Sequence, residues 1–92
     1  MIKIIKLVTG EDLVSEVSEG KPGFMILKKP HRLLFSQEGL ASMPLCPFSK
    51  TTEYEISSAN ILFECEPEDE IRDSYANQVG AIVIASSGIV TP

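Results

Sequence analysis

The sequence predicts a mainly β domain: a small, five-stranded, strongly bent antiparallel barrel followed by a C-terminal helix. Three observations lead to it. Short apolar runs rich in branched side chains recur between turns bearing glycine or proline. After Pro67 the apolar period changes from two residues to four. The length, 92 residues, suits one domain spanning 1–92 with a single core.

Residues 2–8 read as the first strand because their branched side chains suit a pleated surface. The doubled Ile4-Ile5 breaks the alternation and marks a bulge, a bend or burial on both faces. Thr9-Gly10-Glu11-Asp12 is a turn, and residues 13–17 return as the second strand of a hairpin. A polar loop with Gly20, Pro22 and Gly23 comes next. Residues 24–28 and 33–35, interrupted by Pro30, are read as one long strand bent at the proline. Ser36-Gln37-Glu38-Gly39 turns the chain. Residues 40–48 are apolar but irregular, because Pro44 and Pro47 interrupt them. Residues 52–56 alternate, with Tyr54 and Ile56 inward. Ser57-Ser58 makes a tight turn into a fifth strand, 61–65, with Ile61, Phe63 and Cys65 on one face. The barrel so defined covers about residues 2–65. Its expected core is Ile5, Leu7, Leu13, Val17, Ile26, Leu33, Phe35, Ile56, Ile61 and Phe63.

Pro67 can occupy a first helical position, where its missing N–H costs nothing. Glu68, Asp69 and Glu70 then complement the helix dipole, and Ile71, Tyr75 and Val79 form one apolar stripe. These features place a helix over about 67–79, with Gly80 as its stop. Residues 81–85 read as a short apolar tail strand.

The net charge is −5, which disfavours a generic electrostatic nucleic-acid binder. The charge is uneven: residues 1–46 carry a net +1 and residues 47–92 a net −6, so one face can still be basic. No apolar run reaches the ~18 residues of a membrane span, and the N-terminus lacks a secretory pattern. Cys46 and Cys65 have no CxxC spacing and apolar neighbours, which suits free thiols in a reduced, cytoplasmic compartment. No membrane partner is expected.

No catalytic group stands out. His31, the single histidine, lies beside Pro30 and Arg32 without a local nucleophile or orienting carboxylate, and reads as a surface or interface residue. Two cysteines and one histidine match no zinc spacing, so neither metal nor cofactor is expected. Glu64, Glu66, Glu68, Asp69, Glu70 and Asp73 crowd the helix start. They read foremost as a solvated, dipole-compensating surface, with docking of a basic protein as the functional alternative. Lys28, Lys29, His31 and Arg32 form the basic cluster: phosphate contacts on one reading, an aggregation-blocking edge on the other.

Residues 4–17, IIKLVTGEDLVSEV, resemble the first motif of the Sm-like family: an apolar strand, a glycine turn at Gly10, and a second apolar strand. Residues 54–63, YEISSANILF, resemble its second motif: a strand, a very tight turn and a closing strand. Thr9-Gly10-Glu11 and Glu66-Pro67 before an acidic helix are most similar to short bacteriophage-encoded members. The resemblance implies an Sm-like barrel and a homo-oligomeric ring. In such rings the fourth strand of one subunit pairs with the fifth of the next, here through Thr52, Tyr54 and Ile56 against Ile61, Phe63 and Cys65. Ile82 and Ile84 of the apolar tail would also reach an interface. A pentamer is expected ahead of a hexamer or heptamer, in the cytoplasm of a bacterial host if the chain is phage-encoded.

The same resemblance implies single-stranded RNA as a ligand, with the protein as an RNA chaperone or regulator. Two departures weaken that grip. The loop 18–23 lacks the family's Asp and Asn, and Ser57-Ser58 replace its Arg-Gly. The contacts that remain are Phe24 for stacking, Lys28, Lys29 and Arg32 for phosphates, and Ser57, Ser58 and Asn60 at the tight turn. Weak, electrostatic binding is expected. The alternative is an adaptor ring that binds protein and has lost RNA binding.

Overall fold

The computed structural model describes the backbone of residues 1–86 and the side chains of residues 1–80. In chain order it contains β1 (Ile2–Leu7), β2 (Asp12–Glu19), β3 (Phe24–Ser36), β4 (Gly39–Pro44), β5 (Glu53–Ser57), a 3-10 turn (Ser58–Asn60), β6 (Ile61–Cys65) and α1 (Asp69–Ser86). All ladders are antiparallel. The strand order is β4-β3-β2-β1-β6, with β5 paired to β3 off that path. The expected mainly β architecture with a C-terminal helix is present, but with six strands and a sheet that does not close.

The extra strand follows from the length of β3, which at 13 residues can take two partners in succession. Its first half, from Phe24 to Lys28, pairs with β5, and its second half, from His31 to Ser36, pairs with β4. The stretch expected to be irregular therefore begins as a strand. Pro44 is tolerated there because β4 is an edge and needs no donor on its open side. Gly10 closes the β1–β2 turn at φ 104°, a left-handed conformation that a side chain would strain.

The sheet has two covered faces. Inside the bend, Ile5, Leu13 and Leu27 are fully buried, and Leu7, Val17, Met25, Ile56 and Ile61 pack around them. Each fully buried residue of this kind contributes roughly 1.5–3 kcal/mol of transfer free energy. On the outer face Val14, His31 and Tyr75 are buried where α1 lies against the sheet. Two expected core residues are exposed, Phe35 at 85% and Phe63 at 52%. For Phe63 the cause is a bulge. Leu7 pairs with Ile61 while Lys6 pairs with Phe63, so Leu62 is an extra residue. Ile61 then faces in with Leu7, and Phe63 faces out with Lys6. Phe35 pairs with Leu40 near the β3–β4 tip, out on the same outer face. Both cysteines are exposed rather than buried.

The helix does not stop at Gly80. It continues to Ser86, so residues 81–85, expected as a tail strand, are helical. Gly80 is not among the glycines with positive φ, so it makes no left-handed cap. No proline follows until Pro92.

Candidate functional site

The bend in β3 organises the molecule. Val14 pairs with His31 and Glu16 with Lys28, so Ser15 alone faces both Lys29 and Pro30. Lys29 takes φ 49°, unusual for a residue with a side chain. Its N–H donates 2.6 Å to the Thr52 carbonyl, which anchors the start of β5. The remaining polar groups of the bulge are met from two sides. Ser15 donates its hydroxyl to the Lys28 carbonyl at 2.9 Å. From α1, Tyr75 places its hydroxyl 2.9 Å from both the Lys28 and the Lys29 carbonyls, and accepts from the Glu16 N–H at 3.1 Å. One phenol thus fixes the helix to the bend.

His31 lies beneath the same helix. It is 8% exposed, not a surface residue as its sequence neighbours imply. Its ring meets Tyr75 edge-on with centroids 5.5 Å apart, and Nδ1 sits 3.5 Å from the Ser42 hydroxyl. Burial holds its pKa below the ordinary value, partly offset by the Gln78 side chain. Burial likewise raises the Tyr75 pKa.

The bend separates the sequence-predicted contacts into groups. Phe24 pairs with Ser57, and the Ser58 N–H donates 2.8 Å to the Gly23 carbonyl. Ser57 caps the 3-10 turn by accepting from the Ala59 N–H. Asn60 is exposed at the end of that turn, where its carbonyl accepts from the Val8 N–H. Phe24 and Ser58 line a recess of about 410 Å³ that also contains Lys3, Glu19 and Glu64. Lys21 lies 4.6 Å over the Phe24 ring, so one stacking face already carries a cation.

Lys28, Lys29 and Arg32 do not join this group, nor do they form one patch. Lys28 pairs across from Glu16 and Glu53 and lies on the face that carries α1, with Tyr75 and Ala76 nearby. Arg32 pairs with Leu13, on the opposite face. Carboxylates also meet most of the cations. Lys28 is 3.7 Å from Glu53, Lys21 is 3.6 Å from Glu55, and Lys6 is 3.1 Å from Asp12. Lys3 donates 2.7 Å to Glu66, which raises the lysine pKa and lowers that of the carboxyl. Among the described residues, Lys29, Arg32 and Lys50 are the cations outside any ion pair.

The expected assembly residues lie at two open edges. β5 is bonded only to β3, and β6 only to β1. Tyr54, Ile56 and Ile61 are half-buried, whereas Thr52, Phe63 and Cys65 are exposed. Ile82 and Ile84 lie in the backbone of α1, and their side chains fall outside the described residues. Among the described residues no helix is long and apolar enough to cross a membrane, and no three His, Cys, Asp or Glu side chains are grouped to hold a metal.

No protein-family model matches the chain, and no curated protein is significantly similar to it. The geometry therefore carries the functional reading. Sequence reasoning missed Tyr75 as the clamp of the bend. Its i, i+4 spacing signals burial but not a hydroxyl aimed at strand carbonyls. It also missed Phe48, 97% exposed at the tip of the loop before β5. The signal available was an aromatic residue between Pro47 and Ser49 in a stretch too proline-rich to bury it.

Proposed function

We propose that the protein is a subunit of an Sm-like homo-oligomeric ring, with five copies favoured, that holds single-stranded RNA weakly. The observation that carries this reading is the pair of open edges. β5 and β6 each present unbonded backbone groups to one side, and an edge with exposed Leu62 and Phe63 invites a further strand. Pairing β5 of one copy with β6 of the next satisfies both edges by a head-to-tail contact, which closes into a ring when the rotation permits. RNA would meet the recess at Phe24 and Ser58, where Lys3 lines the wall and Lys21 lies over the Phe24 ring, with Ser57 and Asn60 in the adjoining tight turn. Lys28, Lys29 and Arg32 contribute less than an exposed basic patch would, because they are split between faces and Lys28 is already paired. Binding should therefore fall with salt on a shallow slope, of order −0.7 per neutralised phosphate on a single strand.

The second reading is an adaptor ring that binds protein instead. The carboxylates beside Lys3, Lys21 and Lys28 favour it, since each would repel phosphate. Fluorescence anisotropy with short RNA homopolymers, titrated with salt, separates the two. Weak binding that disappears as salt rises supports the RNA ring. No binding at low salt moves the function to the adaptor.

A further inference from the structure

The outer face carries a groove that the monomer leaves open. It occupies about 510 Å³ between the start of α1 and the sheet, with Ile4, Leu33, Leu40, Phe63 and Ile71 as its apolar wall. Asp12, Glu66 and Glu68 stand at its rim. Leu40 and Phe63 are exposed in this wall. Asp12 and Glu66 are already paired to Lys6 and Lys3, which leaves Glu68 as the rim carboxylate open to a partner's cation. An apolar groove so edged suits an apolar side chain beside one basic group.

The loop before β5 offers that chemistry. The Ser49 N–H bonds the Cys46 carbonyl across a turn, and Phe48 projects from it, 97% exposed. Lys50 follows, exposed and outside any ion pair among the described residues. We infer that Phe48 of one protomer inserts into this groove on the next, with Lys50 facing Glu68. The inference rests on the ring reading and adds to it the contact that fixes neighbouring subunits.

Chain geometry connects the two. If β5 runs antiparallel to a neighbour's β6 in the register that matches all five residues of each, its first residue, Glu53, comes opposite the neighbour's Cys65. The groove lies there: Cys65 lines it, Glu66 follows, and Phe63 is two residues back. Four residues lie between Phe48 and Glu53, five backbone steps with a reach of at most about 18 Å. A phenylalanine in the loop that leads into β5 thus arrives at the groove as its own strand docks. Within one chain the same loop is held at the other side of the bend, where Leu45 bonds Pro30 and Thr52 bonds Lys29. An aromatic anchor in a walled pocket, with a charge pair at the rim, is the usual makeup of an interface hot spot.

The test is the assembly state of wild type, Phe48→Ala, Lys50→Glu and the double variant Lys50→Glu/Glu68→Lys, by light scattering and sedimentation over a concentration series. Phe48 and Lys50 are exposed, so circular dichroism should show each variant folded. Phe48→Ala is expected to raise the dissociation constant between subunits at least tenfold. Lys50→Glu should weaken assembly less, and the added Glu68→Lys should restore it. A wild-type ring that Phe48→Ala leaves equally tight overturns this contact while the ring stands. A wild-type protein that stays monomeric overturns both.

Discussion

Tyr75 does two jobs with one side chain. Its ring covers His31, and its hydroxyl serves the carbonyls of Lys28 and Lys29 and the amide of Glu16. Removing the hydroxyl takes this partner from the Lys29 carbonyl and the Glu16 N–H, while Ser15 still serves the Lys28 carbonyl. An unmet buried group of this kind costs about 1–3 kcal/mol. Tyr75→Phe should lower the urea midpoint accordingly, with an unchanged slope. His31 adds a pH dependence whose sign follows from its burial. Its folded pKa lies below the unfolded value near 6.5, so the unfolded chain binds the proton more readily. Stability is therefore full above that value and declines as pH falls through it toward the folded pKa. Denaturation curves between pH 7.5 and about 5 should show this loss, and His31→Phe should remove it. Glu11 and Glu66, both held below their ordinary range, act in a lower window, because their contributions vanish only as the carboxyls protonate.

Among the elements, those with a clean period were legible in the sequence. The β1–β2 hairpin, the strand before the tight turn and the stripe of Ile71, Tyr75 and Val79 appear where the pattern puts them. What the pattern does not encode is pairing. The extra Leu62 that turns Phe63 outward, and the Lys29-Pro30 pair facing Ser15, are set by partner strands far along the chain. β4 was hidden because an edge strand can carry prolines that a central one cannot. The candidate site was half legible for the same reason. Residues 24, 57 and 58 converge through one ladder, while 28, 29 and 32 are consecutive enough to look like a patch but straddle a bulge. In the sequence Gly80 signals a stop, yet it lies in helical backbone with open space at its Cβ position. Gly80→Ala should thus stabilise the helix by about 0.5–1 kcal/mol, visible as a higher thermal midpoint.

At the scale of the whole molecule, a sheet bent over a small inner core leaves much apolar surface outside. Phe35, Phe48, Leu62 and Phe63 are all at least half exposed. One chain has no further layer among its described residues to cover them: of α1's apolar stripe, Tyr75 is buried against the bend while Ile71 lines the open groove. Association is the direct way to bury that surface and to satisfy the edges of β5 and β6 together. The same logic limits RNA: a net charge of −5 per copy is multiplied in a ring, so any ligand of like charge must rely on local contacts at Phe24 and the tight turn. The central claim is the ring, and mass by light scattering at micromolar concentration tests it most directly. A discrete species at five times the 10.1 kDa of one chain is the predicted result; a single species at the mass of one chain across the whole concentration range would contradict it.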